Sequence, residues 1–465
     1  MKCALCTAGV VAAAAVLTAA QQPPTAQKPP SFQSGTQVVQ VDVRAFKDGH
    51  FVDDLKPDDF VIKEDGVEQP IRNLTLVRPG FTGVQAVTYA AAGVPQPDGI
   101  REAPIASSVW VFVFDTAHLS IPGLHNTQKS VVDFLQGRFH QGDIGGVVAN
   151  GVMAGNRLTT VREELIGAVD KVKIGDLTAI EAKRELQQWP RVTADNDEAW
   201  EIDGDKSDTN QVLDNAVKRA CDERPGECSS AANGGAGKGD TIGGSLSEMV
   251  RQQIQAKASN YVATVQASAK QSLHVIEALT NGLARVPGQK TVVYLTEGFT
   301  THDNEELLKE ADGMANRAGA HLYVIDARGL NKGAGSSDII NQESAHLDRM
   351  PTSHYDLQDD AMNSLAVDTG GIFFHNENNF GRALAEVQDD AGTYYVLGYT
   401  PTNQKFDGKY RAISVEVKRP GVKVRARRGY LALEPAKLLK PVPIRNAKGT
   451  VVADARPNLT TRDGF

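Results

Sequence analysis

Val109-Trp110-Val111-Phe112-Val113-Phe114, followed by Asp115 and Thr116, is an apolar run that ends in a carboxylate. It lacks the polar alternation of a half-exposed strand and fits a strand covered on both faces. Ile144–Val148, Thr291–Leu295 (TVVYL), Leu322–Ile325 (LYVI) and Ile372–Phe374 repeat the style. Helical patterns lie between these runs, at about 127–138, 160–173, 247–285, 304–318 and 359–367. Strands alternating with helices predict an α/β chain with a doubly wound, mostly parallel, Rossmann-like sheet.

Outside this region the pattern changes. Gln37–Arg44 (QVVQVDVR) alternates, as a half-buried strand does, and short strands follow at Phe60–Lys63 and Gln69–Leu76 with Glu64-Asp65-Gly66 as a turn. Beyond the last helix, Thr393–Tyr399, Tyr410–Lys418 and Val422–Arg428 read as strands. Each set is too small to be stable alone, so the two are expected to join into one smaller β unit. Residues 80–106 read as a connector. The expected organisation is a β segment at 37–80, a larger domain at 106–392, a β segment at 393–432 and a poorly ordered tail at 433–465. Two insertions interrupt the larger domain, at about 190–245 and 331–356. The first holds an acidic cluster from Asp195 to Asp208, read as a solvated loop, and a Gly-rich run.

Composition narrows the function. The chain has 465 residues, and its formal net charge of −8 argues against a nucleic-acid binder. No apolar run reaches the length of a transmembrane helix. Lys2, the uncharged stretch 4–20 and Thr18-Ala19-Ala20 predict a Sec-type signal peptide over 1–20, then a Pro/Gln-rich linker over 21–36. The expected location is secreted or periplasmic. Cys221 and Cys228 then remain in an oxidising compartment, where a disulfide is expected.

In open α/β sheets, ligands sit at the carboxyl ends of the strands. Three runs here end in a charged residue, at Asp115-Thr116, Glu297-Gly298 and Asp326-Ala327-Arg328. Together with VFVFDT, PGQKTVVYLTEGF (287–299), YVIDARGL (323–330), Thr369-Gly370-Gly371 and RARRGY (425–430), this order resembles the von Willebrand factor type A (VWA) family. More closely, it resembles the VWFA-related proteins of acidobacteria. That resemblance implies a VWA domain, an adhesion-like role in the bacterial envelope and a metal-ion-dependent adhesion site with an Asp-x-Ser-x-Ser motif. Asp115 matches the first position, but Ala117 and Leu119 fall where the two serines belong, and Ser120 is one residue out of register. Glu297 replaces the third-loop Asp, and Thr178 matches the second-loop Thr. At most Asp115, Thr178 and Glu297 remain to hold an ion such as Mg²⁺, which demands near-octahedral geometry. The site is therefore expected to be degenerate.

The expected function is a non-enzymatic protein-binding module. Its rim is Asp115, Thr116, Ser120, Thr178 and Glu297, and its partner is a protein or peptide with a basic or amide-rich edge. Two rivals are a structural envelope component docking through its β unit and a hydrolase using Asp115 and Glu297 as paired carboxylates. For the hydrolase, no His or nucleophile stands in an evident motif. His302, His346 and His354 read as surface residues, and Arg425–Arg428 as a solvated strand face.

Overall fold

The computed structural model describes residues 38–80, 83–90, 108–175, 178–193, 198–207, 209–228, 241–286, 289–301, 304–329, 354–433, 443–445 and 451–454. The expected signal peptide and linker lie outside these residues. The chain opens with β1 (Val39–Lys47), β2 (His50–Phe51), β3 (Phe60–Glu64), β4 (Val67–Gln69), β5 (Ile71–Gly80) and β6 (Gly83–Ala90). β7 (Val109–Phe114), α1 (Ile121–Arg138), β8 (Ile144–Ala149), β9 (Val152–Met153) and α2 (Arg162–Val169) follow. Next come α3 (Thr178–Leu186), α4 (Glu198–Gly204), α5 (Gln211–Glu223), α6 (Pro225–Cys228) and the long α7 (Thr241–Leu283). β10 (Lys290–Thr296), α8 (Glu305–Ala318), β11 (Ala320–Asp326), α9 (His354–Asp368), β12 (Phe373–Phe374) and α10 (Phe380–Gly392) complete the helical region. The chain ends with β13 (Tyr394–Tyr399), β14 (Tyr410–Val417), β15 (Lys423–Ala426), β16 (Gly429–Leu431), β17 (Pro443–Arg445) and β18 (Val451–Asp454).

The architecture is mixed α/β, which corrects the expectation of a doubly wound, mostly parallel, Rossmann-like fold. One six-stranded sheet, in the order β15-β1-β13-β5-β6 with β2 on β1, is antiparallel throughout. A four-stranded sheet, β16-β14-β3-β4, is antiparallel as well. Among the described residues, parallel pairing is confined to a third sheet, β12-β11-β10-β7-β8-β9, which itself closes on an antiparallel edge at β9. The sequence reading undervalued the antiparallel part for a physical reason. Its strands are short and come from opposite ends of the chain, so no local pattern shows how large a sheet they make. β6 also arises from residues read as a connector, and β17 pairs with β18 inside the expected tail.

In the parallel region, β7 feeds two cores from alternate residues. Val109, Val111 and Val113 pack with residues of α7, α8 and α9, while Trp110, Phe112 and Phe114 pack with α1, α2 and α10. β1 also has two buried faces. Val39, Val41 and Val43 enter a core shared by the two antiparallel sheets, with Ile62, Leu74, Leu397 and Ile413. The polar alternates turn toward the α/β layer. Arg44 is fully buried, its Nε 3.0 Å from Asp390 Oδ2 on α10. Tyr323 on β11 donates its hydroxyl to the same oxygen at 2.7 Å, and Arg425 pairs with Asp390 Oδ1. His321 Nε2 lies 2.8 Å from Asp42 Oδ2. Burial alone would lower the Arg44 pKa, but Tyr323, Asp390 and Asp42 outweigh it and raise it.

Within the first insertion α4 and α5 are helices, and α4 (Glu198–Gly204) stands in the acidic stretch expected as a solvated loop. α3, α4 and α5 pack on the first half of α7 through Leu186, Ile202, Leu213, Ile254 and Tyr261. Glu198 is buried and paired with Arg219 at 2.8 Å. Lys257 donates to the carbonyls of Glu185, Gln188, Trp189 and Pro190, closing the carboxyl end of α3. Cys221 and Cys228 form a disulfide joining α5 to α6. Asp195, Asp197 and Asp208 lie outside the described residues. Among the described residues, no helix is long and apolar enough to cross a membrane.

Two predictions follow from buried charge. Arg44→Met strands Asp390 with only Arg425 and Tyr323, and should cost about 3 kcal/mol in urea unfolding, the low end for a broken buried pair. Asp312 on α8 is buried with no hydrogen-bond partner for either carboxyl oxygen, and burial first, then Asp368, pushes its pKa well up. The unfolded chain releases this proton near the ordinary value while the folded chain retains it. Stability from this group is therefore full at low pH and declines as pH rises above about 4. Asp312→Asn should flatten that decline between pH 4 and 8, raising stability at pH 8 by on the order of 1–3 kcal/mol. An unchanged difference across the range would contradict it.

Candidate functional site

The site lies where β7 and β10 end side by side. Their parallel register pairs Phe114 with Leu295, so Asp115 and Glu297 leave adjacent strands at the same edge. The Asp115 backbone N–H donates to the Leu295 carbonyl at 2.9 Å, and the Glu297 N–H donates to the His118 carbonyl at 3.1 Å. The loop after β7 is thus tied to the loop after β10 before any side chain acts.

Asp115 is buried, and its carboxylate accepts from four side chains. Oδ2 accepts from Tyr294 Oη at 2.7 Å, Thr296 Oγ1 at 2.9 Å and His118 Nδ1 at 2.9 Å. Oδ1 accepts from Ser272 Oγ on α7 at 2.9 Å. An ionised carboxylate offers about two lone-pair positions on each oxygen, so three donors crowd Oδ2 and one occupies Oδ1. Burial by itself would raise the carboxyl pKa, but His118 and the hydrogen bonds from His118, Tyr294 and Ser272 prevail and hold it below the ordinary value. Burial and the nearby Asp115 push Tyr294 well above its ordinary value, so it stays a donor.

Glu297 is engaged with α1. Its Oε1 accepts from the Ser120 backbone N–H at 3.0 Å and from the Ser120 hydroxyl. Ser120 is the N-cap of α1, and its Oγ accepts from the Gly123 N–H at 3.1 Å. A carboxylate at this end is favoured by the helix dipole. Gly123 permits the approach, since a Cβ there would lie 2.2 Å from Glu297 Oε1. Thr116 is buried and donates to Asn150 Oδ1 at 2.6 Å, tying this loop to the turn after β8.

The structure brings together four of the five expected rim residues, Asp115, Thr116, Ser120 and Glu297. Thr178 opens α3, but its side chain lies outside the described residues. Asp115, expected on the binding rim, is buried with its carboxylate turned to protein donors. Leu119, in a motif serine position, is fully buried in the core with Phe112 and Leu124. A metal bound at Asp115 would have to displace protein donors already in place. Among the described residues, no group of three or more His, Cys, Asp or Glu side chains is placed to hold a metal ion. His302 and His346 lie outside the described residues, and His354 opens α9 with its side chain outside them. Arg425 and Arg427, expected on a solvated face, point inward: Arg425 pairs with Asp390, and Arg427 donates to the carbonyls of Gln40 and Asn316.

The sequence reading missed His118, Ser268 and Ser272. His118 Nε2 lies 3.0 Å from Ser268 Oγ, and its ring sits 5.2 Å from that of Phe299. The histidine's position three residues after Asp115 was a usable signal. The two serines stand one helical turn apart on α7, far away in sequence, with nothing local to mark them. No protein-family model matches the chain, and no curated protein matches it.

Because Asp115 is a buried acceptor for four donors, Asp115→Ala should cost about 3–5 kcal/mol of stability, like other uncompensated losses of a buried partner. Its lowered pKa supplies stability that is present above about pH 4 and lost as pH falls through the folded value. Urea midpoints from pH 2.5 to 6 should therefore vary less for Asp115→Asn than for the wild type. A full-strength acid transition in the variant would assign that dependence elsewhere.

Proposed function

We propose that this chain is a non-enzymatic, VWA-type protein-binding module of the bacterial envelope, secreted or periplasmic, with a degenerate metal site. It holds a protein or peptide partner at the rim formed by the loops after β7, β8 and β10. The observation that carries the reading is the contrast between spent and unspent side chains at this edge. Asp115, Thr116, Ser120 and Glu297 are committed to bonds that fix the loops. Beside them Ile121, next to the α1 N-cap, is 75% exposed, and Val152, past the turn after β8, is 49% exposed. Apolar anchors on a preorganised frame lose little freedom on binding, so more of their contact energy becomes affinity.

The partner's chemistry follows from the same residues. Glu297 beside Ile121 and the net charge of −8 favour a basic or amide-rich edge around an apolar contact. This mode uses no Mg²⁺, and the carboxylate that would bind one already accepts from four protein donors.

Retention of envelope proteins on the immobilised chain tests the reading, with circular dichroism checking each variant's fold. Ile121→Asp is expected to weaken retention at least tenfold, or about 1.4 kcal/mol, with EDTA changing it by less than that. Equal retention by wild type, Ile121→Asp and Val152→Asp would reject the rim as the binding surface.

A further inference from the structure

Around Asp115 runs a line of hydrogen bonds that a binding rim does not need. His118 Nδ1 meets Asp115 Oδ2 at 2.9 Å, and His118 Nε2 meets Ser268 Oγ at 3.0 Å. The ionised Asp115 can only accept, so in a neutral ring Nδ1 carries the proton and Nε2 turns a lone pair toward the serine. A nucleophilic hydroxyl requires this order: a base within hydrogen-bond reach, and a third group that fixes the tautomer and orientation of the base. Ser272, Tyr294 and Thr296 hold Asp115 in turn, and the Phe299 ring lies against the imidazole. Burial is graded along the line. Asp115 is buried, whereas His118 and Ser268 are partly exposed.

We propose that Ser268 is a nucleophile that takes an acyl group from an activated ester, with His118 as general base and Asp115 as its positioning residue. This goes beyond the binding reading and does not rest on it. As the Ser268 Oγ–carbon bond forms, the hydroxyl proton passes to His118 Nε2. The tetrahedral intermediate collapses with cleavage of the bond to the leaving oxygen, which takes that proton back from Nε2. The products are acyl-Ser268 and an alcohol. Ser268 lies within α7, whose N–H groups are used by the helix itself, so its own turn offers no oxyanion donor. Loss of one such donor costs about 10²–10³ in rate. The chemistry suited to this geometry is therefore single capture of an acyl group rather than fast turnover.

The probe is a fluorophosphonate on the full chain, read by intact mass and peptide mapping. Its phosphorus replaces the acyl carbon, the phosphorus–fluorine bond breaks, fluoride leaves and the proton passes through His118 to solvent. The expected result is one adduct per chain, on Ser268, absent in Ser268→Ala and formed at the wild-type rate in Ser130→Ala. His118→Gln, which keeps a donor toward Asp115 but supplies no base, should slow labelling by about 10²-fold or more. A p-nitrophenyl ester should give a burst of about one equivalent followed by little turnover. The proposal is overturned if folded wild type gives no adduct, if the adduct maps elsewhere, or if His118→Gln labels as fast as wild type. Circular dichroism of both Ser268→Ala and His118→Gln separates lost chemistry from lost fold. Should either variant fail to fold, the wild-type adduct map still decides.

Discussion

A buried carboxylate must be either well supplied with donors or neutral, and Asp115 has four donors. Its four side-chain donors come from three places: the loop after β7 (His118), the strand β10 (Tyr294, Thr296) and the helix α7 (Ser272). Any displacement among these elements would strand a charge in a low-dielectric interior, at several kcal/mol. The same donors shape the chemistry. A metal at Oδ2 would have to displace three of them, and they hold the Asp115 pKa below its ordinary value, the opposite of the raised pKa a carboxyl general acid needs. In a neutral ring the carboxylate also selects the His118 tautomer whose Nε2 faces Ser268 as an acceptor.

A second constraint joins the antiparallel sheets to the α/β layer, and it is polar. β1 gives its valines to one side and Asp42 and Arg44 to the other, where His321, Tyr323 and Asp390 receive them. Apolar surfaces would have packed in several registers. Charged groups that must find particular partners accept far fewer, so this seam sets how the sheets meet as well as that they do. Glu64 does similar work inside the antiparallel core, accepting from Tyr399 at 2.5 Å and from Tyr430 at 3.1 Å.

These two features show what was legible in the sequence. The apolar runs placed β7, β10 and β11, and the charged residues that end them marked the edge where Asp115 and Glu297 meet. That much depends on local periodicity. The alternation of β1 was legible too, but its meaning was not, because a polar face reads the same whether it meets water or a second layer. Arg44, at 0% exposure, is the extreme case. Glu297 was readable as a strand-end carboxylate, yet its engagement with the α1 N-cap depends on Gly123, which the motif comparison never weighed. Ser268 lies 150 residues from His118, and only the course of α7 brings them together.

That course links the insertion to the site. α7 is 43 residues long, roughly 65 Å if straight. Its first half carries Val250, Ile254, Ala258 and Tyr261 into the core formed with α3, α4 and α5, and its second half carries Leu273, Ile276, Leu279 and Leu283 into the core beneath β7 and β10. Ser268 and Ser272 fall where one core gives way to the other. A helix transmits rotation and register along its length because each turn is bonded to the next. The packing of the insertion, closed by Lys257 and the Cys221–Cys228 bridge, therefore bears on where the two serines face. A loop insertion would have left the site indifferent to it. The same continuous helix that packs on α3, α4 and α5 carries Ser272 to Asp115 and Ser268 to His118.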